Sequence, residues 1–184
     1  MSNDAILFYS TLVALLALVA LVAAVGLLGY RLIRGPQAAG MLGDKAIWLA
    51  WLVALVATVG SLIYSEVIHF EPCRLCWFQR IAMYPMAIIL LVGGIRREAQ
   101  VKLYALPFAL VGLGISVYHY LIQTFPNLEG GSCDPDNPCS NIFVSVFGFM
   151  TIPFMAGAGF IVIAVLLGLY VNNKATSKEE AGVE

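Results

Sequence analysis

Residues 71–85 read EPCRLCWFQRIAMYP. A Cys-x-x-Cys pair, Cys73 and Cys76, stands where one apolar segment has ended and another is about to begin. Arg80 follows Cys76 by four residues, so in a helix the two share a face one turn apart. The stretch is therefore a dithiol at a membrane surface with a cation beneath it, the outline of a redox site. The rest of the chain carries that site or feeds it.

Composition makes the flanking segments membrane spans. Of 184 residues, 61% are hydrophobic and 11% charged, with mean hydropathy +0.90; soluble domains run at about 25% charged. A globular core of this size could not hide so much apolar surface, whereas a bilayer removes the need to. The net charge of −1 gives no hint of nucleic acid as a partner. The chain is expected to be an all-α integral membrane protein.

Upstream of the pair, a span covers about 45–68, with Trp48 and Trp51 near one end as interfacial aromatics. Before it, residues 5–30 are almost unbroken Ala, Leu and Val. This run starts at Asp4 rather than a cationic region, is too long for a signal peptide and has no convincing small-residue cleavage site, so it is expected to be a retained span. A polar link with Gly35-Pro36 separates the two. Downstream, spans cover about 76–95, 101–123 and 149–171, and a polar tail follows. Pro85 and Pro107 fall inside spans and read as kinks. Gly112, Gly114, Gly157 and Gly159 read as close-packing points between helices.

Five spans put alternate links on opposite sides. Eight of the ten Lys and Arg lie in the first link (Arg31, Arg34, Lys45), the third (Arg96, Arg97, Lys102) and the tail (Lys174, Lys178), and none lies in the 123–149 loop. The positive-inside rule then places the N-terminus and all four cysteines outside and the C-terminus in the cytoplasm.

The remaining cysteines, Cys133 and Cys139, lie in that loop, within GGSCDPDNPCS. Gly130 and Gly131 form a hinge and the Asp-Pro and Asn-Pro steps form turns, so the loop is expected to be mobile and exposed, a place for a protein to dock. Asp134 and Asp136 beside the sulfurs disfavour thiolate. On that ground the pair is expected to hold electrons poorly and pass them to Cys73/Cys76.

Three other readings compete. As structural staples, a Cys-x-x-Cys ring closes too little chain to constrain the unfolded state. The spacing suits reversible exchange better, with its second cysteine at a helix N-terminus where the dipole and nearby cations favour thiolate. A zinc site would use four cysteines, but the second pair is spaced Cys-x5-Cys and extracytoplasmic sulfur is more often oxidised; no metal is expected. Haem attachment is excluded because Trp77, not His, follows Cys76. His119, between Tyr118 and Tyr120, reads first as an interfacial hydrogen-bonding residue, and His69 has weaker claims.

Cys73-Arg-Leu-Cys76-Trp-Phe-Gln79-Arg80 followed by Met83-Tyr84-Pro85, with Pro138-Cys139-Ser and Phe147-Gly148-Phe-Met-Thr-Ile-Pro153 further on, resembles the signature of the DsbB family of disulfide bond formation proteins, in its BdbC-like branch. The resemblance spans roughly 45–171. It implies a four-helix transmembrane bundle over 45–171 with an extracytoplasmic redox loop at 123–149; residues 1–34 are then an extra N-terminal transmembrane helix and 172–184 a cytoplasmic tail. It further implies a quinone-dependent oxidoreductase in the bacterial cell membrane. Such a protein reoxidises a DsbA-like extracytoplasmic thiol oxidase and passes the electrons to menaquinone or ubiquinone. By the same resemblance Cys133 forms the mixed disulfide with the partner and Cys139 is its mate; Cys73 and Cys76 are the membrane-proximal pair, and Cys76 addresses the quinone. Arg80, Gln79 and His119 are then quinone-contacting. The vitamin K epoxide reductase-like family is also helical and quinone-linked, but there the Cys-x-x-Cys follows the loop cysteines. A membrane scaffold or metal-binding protein with structural cysteines is the non-enzymatic alternative, and counting thiols after mild reductant separates it from a redox protein.

Overall fold

A computed structural model describes residues 3–34, 42–43, 45–98, 100–131 and 133–170. The expected cytoplasmic tail at 172–184 lies outside the described residues. Within them are five helices long and apolar enough to cross a membrane: α1 (Asn3–Arg34), α2 (Lys45–Leu62), α3 (Arg74–Arg96), α4 (Val101–Thr124) and α5 (Ile152–Leu169). This is a polytopic, all-α membrane architecture: a four-helix bundle with one further helix at its N-terminal end.

Helices α2, α3, α4 and α5 close a ring, each packing on the next and α5 returning to α2, while α1 lies on the outer side of α5. α5 is accordingly the most buried helix and α1 the most exposed. Asp4 in the first turn of α1 and Arg31 and Arg34 in its last complement the helix dipole. α1 is fastened at both ends. Near its start the Tyr9 hydroxyl donates to Gly60 O (3.2 Å) and the Tyr64 hydroxyl to Ser10 Oγ (3.1 Å). Near its finish Arg31 donates to Gly168 O.

The end that bears the cysteines is built from chain breaks. α2 runs into a π-turn, Ile63–Val67, with the Ile68 N–H reaching back to Ile63 O. His69 follows in the left-handed region (φ 64°), and α3 begins at once after Cys73. On the far side of the loop, two short strands, β1 (Ser145–Val146) and β2 (Met150–Thr151), pair antiparallel and turn through Phe147 and Gly148, both at positive φ. Pro153 then sits in the first turn of α5, where its missing N–H costs nothing. α3 and α4 run as unbroken helices through Pro85 and Pro107.

Two of the four glycines read as packing points are tight: a Cβ at Gly112 would meet the Phe160 ring at 2.3 Å, and one at Gly157 would meet Ser116 Cβ at 3.3 Å. Gly114 departs from the expectation, since nothing lies within 4 Å of its would-be Cβ; it faces away from the other helices. Phe160 is fully buried and cannot swing aside. Gly112→Ala is therefore expected to cost about 1–3 kcal/mol through overpacking, read as a lower unfolding midpoint in detergent, while Gly114→Ala leaves the midpoint unchanged.

Candidate active site

Cys73 is the N-cap of α3. Its backbone is extended (φ −66°, ψ 171°), and its sulfur accepts the Cys76 N–H at 3.4 Å, in the role an Asp or Ser usually fills. Cys76 falls in the first helical turn. The two sulfurs stand 3.0 Å apart, both as free thiols. They face different surroundings: Cys73 is buried, with 3% of its surface exposed, whereas Cys76 is half-buried and opens onto a cavity.

Cys133 and Cys139 form a disulfide with Cα atoms 5.8 Å apart. The loop corrects the sequence reading in one respect. Asp134, Pro135 and Asp136 are exposed at its tip, but Cys133 and Cys139 are buried, at 8% and 1% exposure, because the loop folds down on the bundle. The loop's own shape is fixed by Glu129, a residue that sequence reasoning passed over, while Gln123 of α4 ties it to the bundle by donating to Asn141 O at 3.1 Å. The Glu129 carboxylate accepts the Cys139 N–H at 2.7 Å and the Ser140 hydroxyl at 3.0 Å. It also lies within 4.8 Å of both loop sulfurs, nearer than charge spacing alone suggests. Asp134 is engaged locally, accepting the Asp136 N–H at 3.0 Å.

The two pairs meet through Cys73, Cys139 and His119. The sulfurs of Cys73 and Cys139 and a ring nitrogen of His119 all lie within 4.8 Å of one another. His119 is 1% exposed on α4; its Nε2 is 3.1 Å from Cys139 O and 3.6 Å from Cys73 Sγ. A carbonyl oxygen can only accept, so Nε2 carries the hydrogen and is shared between the carbonyl and the sulfur. His119 thus stands between the two cysteine pairs, and it does not line the cavity on which Cys76 opens. The same three donors have the spacing of a metal site, but Cys139 is bonded to Cys133, and a disulfide sulfur is not the thiolate that metals bind.

The Cys73 thiol is held well below its ordinary value of 9.0, by the Cys76 thiol beside it first and by His119 second, against the opposing effect of burial. The lowered value means that thiolate persists at neutral pH and is lost only as the pH falls through the folded-state value. Its contribution to the stability of the reduced form is full above 9.0 and declines as the pH drops from there. Thiolate absorbance of the reduced protein at pH 7 is expected to include one thiolate that Cys73→Ser removes. His119→Ala is expected to raise the pH at which that thiolate appears. An unchanged titration in His119→Ala would remove the histidine from this role.

Cys76 opens into a cavity of 310 Å³ lined almost wholly by apolar side chains. Its few polar groups are Gln79, Arg80, Tyr84, Ser61, Tyr64 and, at the outer rim, Glu71. Arg80 donates to Ser61 O at 3.2 Å, and its guanidinium carbon lies 5.2 Å from the centre of the Trp77 ring. Tyr84 donates to Ser61 Oγ at 3.4 Å. Gln79 is buried and donates to Ser116 Oγ at 3.0 Å, tying α3 to α4.

Residues 44–170 match the family described as disulfide bond formation protein DsbB. The chain belongs to that family. Among curated proteins it is similar to the probable disulfide formation protein C of Halalkalibacterium halodurans, 44% identical over 126 residues, 68% of this chain and 92% of the relative. It is also similar to the disulfide bond formation protein C of Bacillus subtilis, 43% identical over 130 residues, 70% of this chain and 94% of the relative. The probable disulfide formation protein of Oceanobacillus iheyensis is 44% identical over 125 residues, 67% of this chain and 86% of the relative. No solved structure matches the chain. Membership of the DsbB family makes this a multi-pass membrane protein of the disulfide-forming class. Helix α1 lies outside the matched residues, and the alignments leave no room in the first two relatives for a helix of 32 residues.

Proposed function

We propose that this protein oxidises an extracytoplasmic, DsbA-like dithiol protein and delivers the electrons to a membrane quinone. The observation that carries the reading is the division of the site. Cys73 and Cys139 lie within 4.8 Å of each other, while Cys76, the partner of Cys73, opens on the other side into an apolar cavity with a cationic residue in its wall.

Cys133, the more exposed loop sulfur, takes the attack of the partner's thiolate, and Cys139 leaves as thiolate. The partner's second thiol then displaces Cys133 and departs oxidised. Cys139 thiolate attacks Cys73 of an oxidised Cys73–Cys76 pair, so a Cys73–Cys139 bond forms and Cys76 leaves as thiolate. Cys133 attacks Cys139, restoring the loop disulfide and releasing Cys73. The net result is one disulfide made on the partner and two electrons held on Cys73 and Cys76. His119 Nε2–H stabilises Cys73 as it leaves, and Glu129 keeps Cys139 in line.

A bound quinone supplies a two-electron, two-proton sink. The cavity suits such a group: it is apolar along its length and has Arg80, Tyr84 and Gln79 toward its polar side. These residues would hold it, and the Arg80 cation favours negative charge on both a quinone oxygen and the Cys76 sulfur. The Lys and Arg residues gathered in the first and third links support an orientation with the N-terminus and the cysteines outside and the C-terminus in the cytoplasm.

The test uses the purified full-length protein, a reduced DsbA-like protein and decyl-ubiquinone or a menaquinone analogue. Stoichiometric oxidation of the dithiol, one quinone reduced per disulfide formed, is the expected result. Dithiol oxidation that proceeds equally without added or co-purified quinone would refute the reading.

A further inference from the structure

The cavity beside Cys76 is not closed by the family's four helices alone. Val13, Leu16, Ala17 and Ala20 of α1 form part of its wall. They face Leu52, Val53, Val56 and Ala57 of α2 across it, with α3 and α5 behind. At membrane depth, the lining residues that are themselves well exposed are Leu16 on α1 (54%) and Leu52 and Val56 on α2 (49% and 46%). The cavity's rim toward the lipid therefore runs between α1 and α2.

The packing explains why a slot stays open there. Both α1 and α2 lean on α5 and pack far less on each other. At the outer end they are pinned together by the Tyr9–Gly60 and Tyr64–Ser10 hydrogen bonds and by the Tyr9 and Tyr64 rings, 5.2 Å apart edge to face. At the inner end Arg31 ties α1 to α5, not to α2. Below the tyrosine clamp the two helices have no hydrogen bond between them among the described residues, and small side chains at 17 and 20 keep the α1 wall set back from the cavity.

We infer that α1 is one jamb of a lateral portal, with α2 the other, through which the quinone of the proposed function enters from the bilayer, and that its apolar tail lies against Val13, Ala17 and Ala20. The Tyr9–Tyr64 clamp closes the portal on the outer side, so the ligand is taken from the lipid and not from water. This deepens the quinone reading and rests on it. The chemistry recognised is a long isoprenoid or alkyl chain attached to a ring small enough to pass between two helices. α1 selects for the tail; Cys76 and Arg80 meet the head.

The experiment is photolabelling of the full-length protein in detergent with a ubiquinone analogue carrying an azide on its tail, followed by trypsin digestion and mass spectrometry. Turnover is measured alongside with decyl-ubiquinone. The expected result is label on the tryptic peptide ending at Arg31 as well as on peptides of α3, displaced by excess unlabelled decyl-ubiquinone. Ala17→Trp, which fills the slot, should raise the KM for decyl-ubiquinone at least fivefold with kcat within twofold. Val22→Trp, on the lipid-facing side of α1 and outside the cavity, should change neither. Displaceable label on α3 with none on α1, together with an inert Ala17→Trp, would overturn the portal and leave the quinone reading standing. Absence of displaceable label anywhere would overturn the quinone reading and the portal with it.

Discussion

Cys76→Ser is expected to abolish turnover, by on the order of 10³-fold or more, and to leave the resting protein with the Cys133–Cys139 disulfide intact and Cys73 a free thiol. The second part follows from the direction of the relay. Cys73 lies within 4.8 Å of Cys139, but interchange between them ends on Cys133–Cys139 with Cys73 as the leaving group. Without Cys76 there is no second disulfide for the loop pair to discharge into, so one equivalent of partner dithiol is oxidised and the reaction stops. The measurement is non-reducing digestion with alkylation of free thiols. The Cys133 and Cys139 peptides should appear linked and Cys73 alkylated. Recovery of a Cys73–Cys139 link with Cys133 alkylated would show that the last step of the relay runs the other way. Retention of turnover would sink the relay altogether.

The second large effect is expected at Arg80. Its guanidinium lines the cavity, donates to Ser61 O on α2 and lies over the Trp77 ring. Arg80→Leu keeps the apolar stem but removes the charge and the hydrogen bond to Ser61. If the cation stabilises charge developing at the head of the cavity, kcat/KM for decyl-ubiquinone should fall by roughly 10²-fold, the scale for losing one such donor. Arg80→Lys should recover only part, because an ammonium cannot span Ser61 and the Trp77 face as a planar fork does. Exchange between the partner dithiol and Cys133–Cys139, followed in a single turnover without quinone, should be unaffected by either change. An equal loss in that half-reaction would mean that Arg80 acts by holding the fold together and not by its charge in the cavity.

The sequence was enough for the class of the molecule, because the signals involved are local. The length and hydropathy of each apolar run decide whether it spans, and the basic residues between runs bias the direction of crossing. A Cys-x-x-Cys just before a span is bound to sit at a helix start, and Cys73 indeed caps α3. The order of motifs from Cys73 to Pro153 carried the family as well.

Only the tertiary structure decided how these parts meet. The helices are apolar on nearly all sides, so no stripe in their sequence tells which face looks inward; the facing of His119 toward Cys73, and of Val13 and Ala17 toward the cavity, comes from packing. The loop, rich in Gly, Pro and Asp, reads as exposed, yet it is shaped by Glu129 and meets His119 of α4 through Cys139 O, so that Cys139 reaches Cys73, 66 positions earlier in the chain. No local pattern encodes that contact, because it depends on a hydrogen bond within the loop and on where α4 and α5 set the loop's two ends. The Cys-x-x-Cys stretch announced a dithiol; the fold gave its two sulfurs different neighbours, one facing the loop disulfide and the other an apolar cavity.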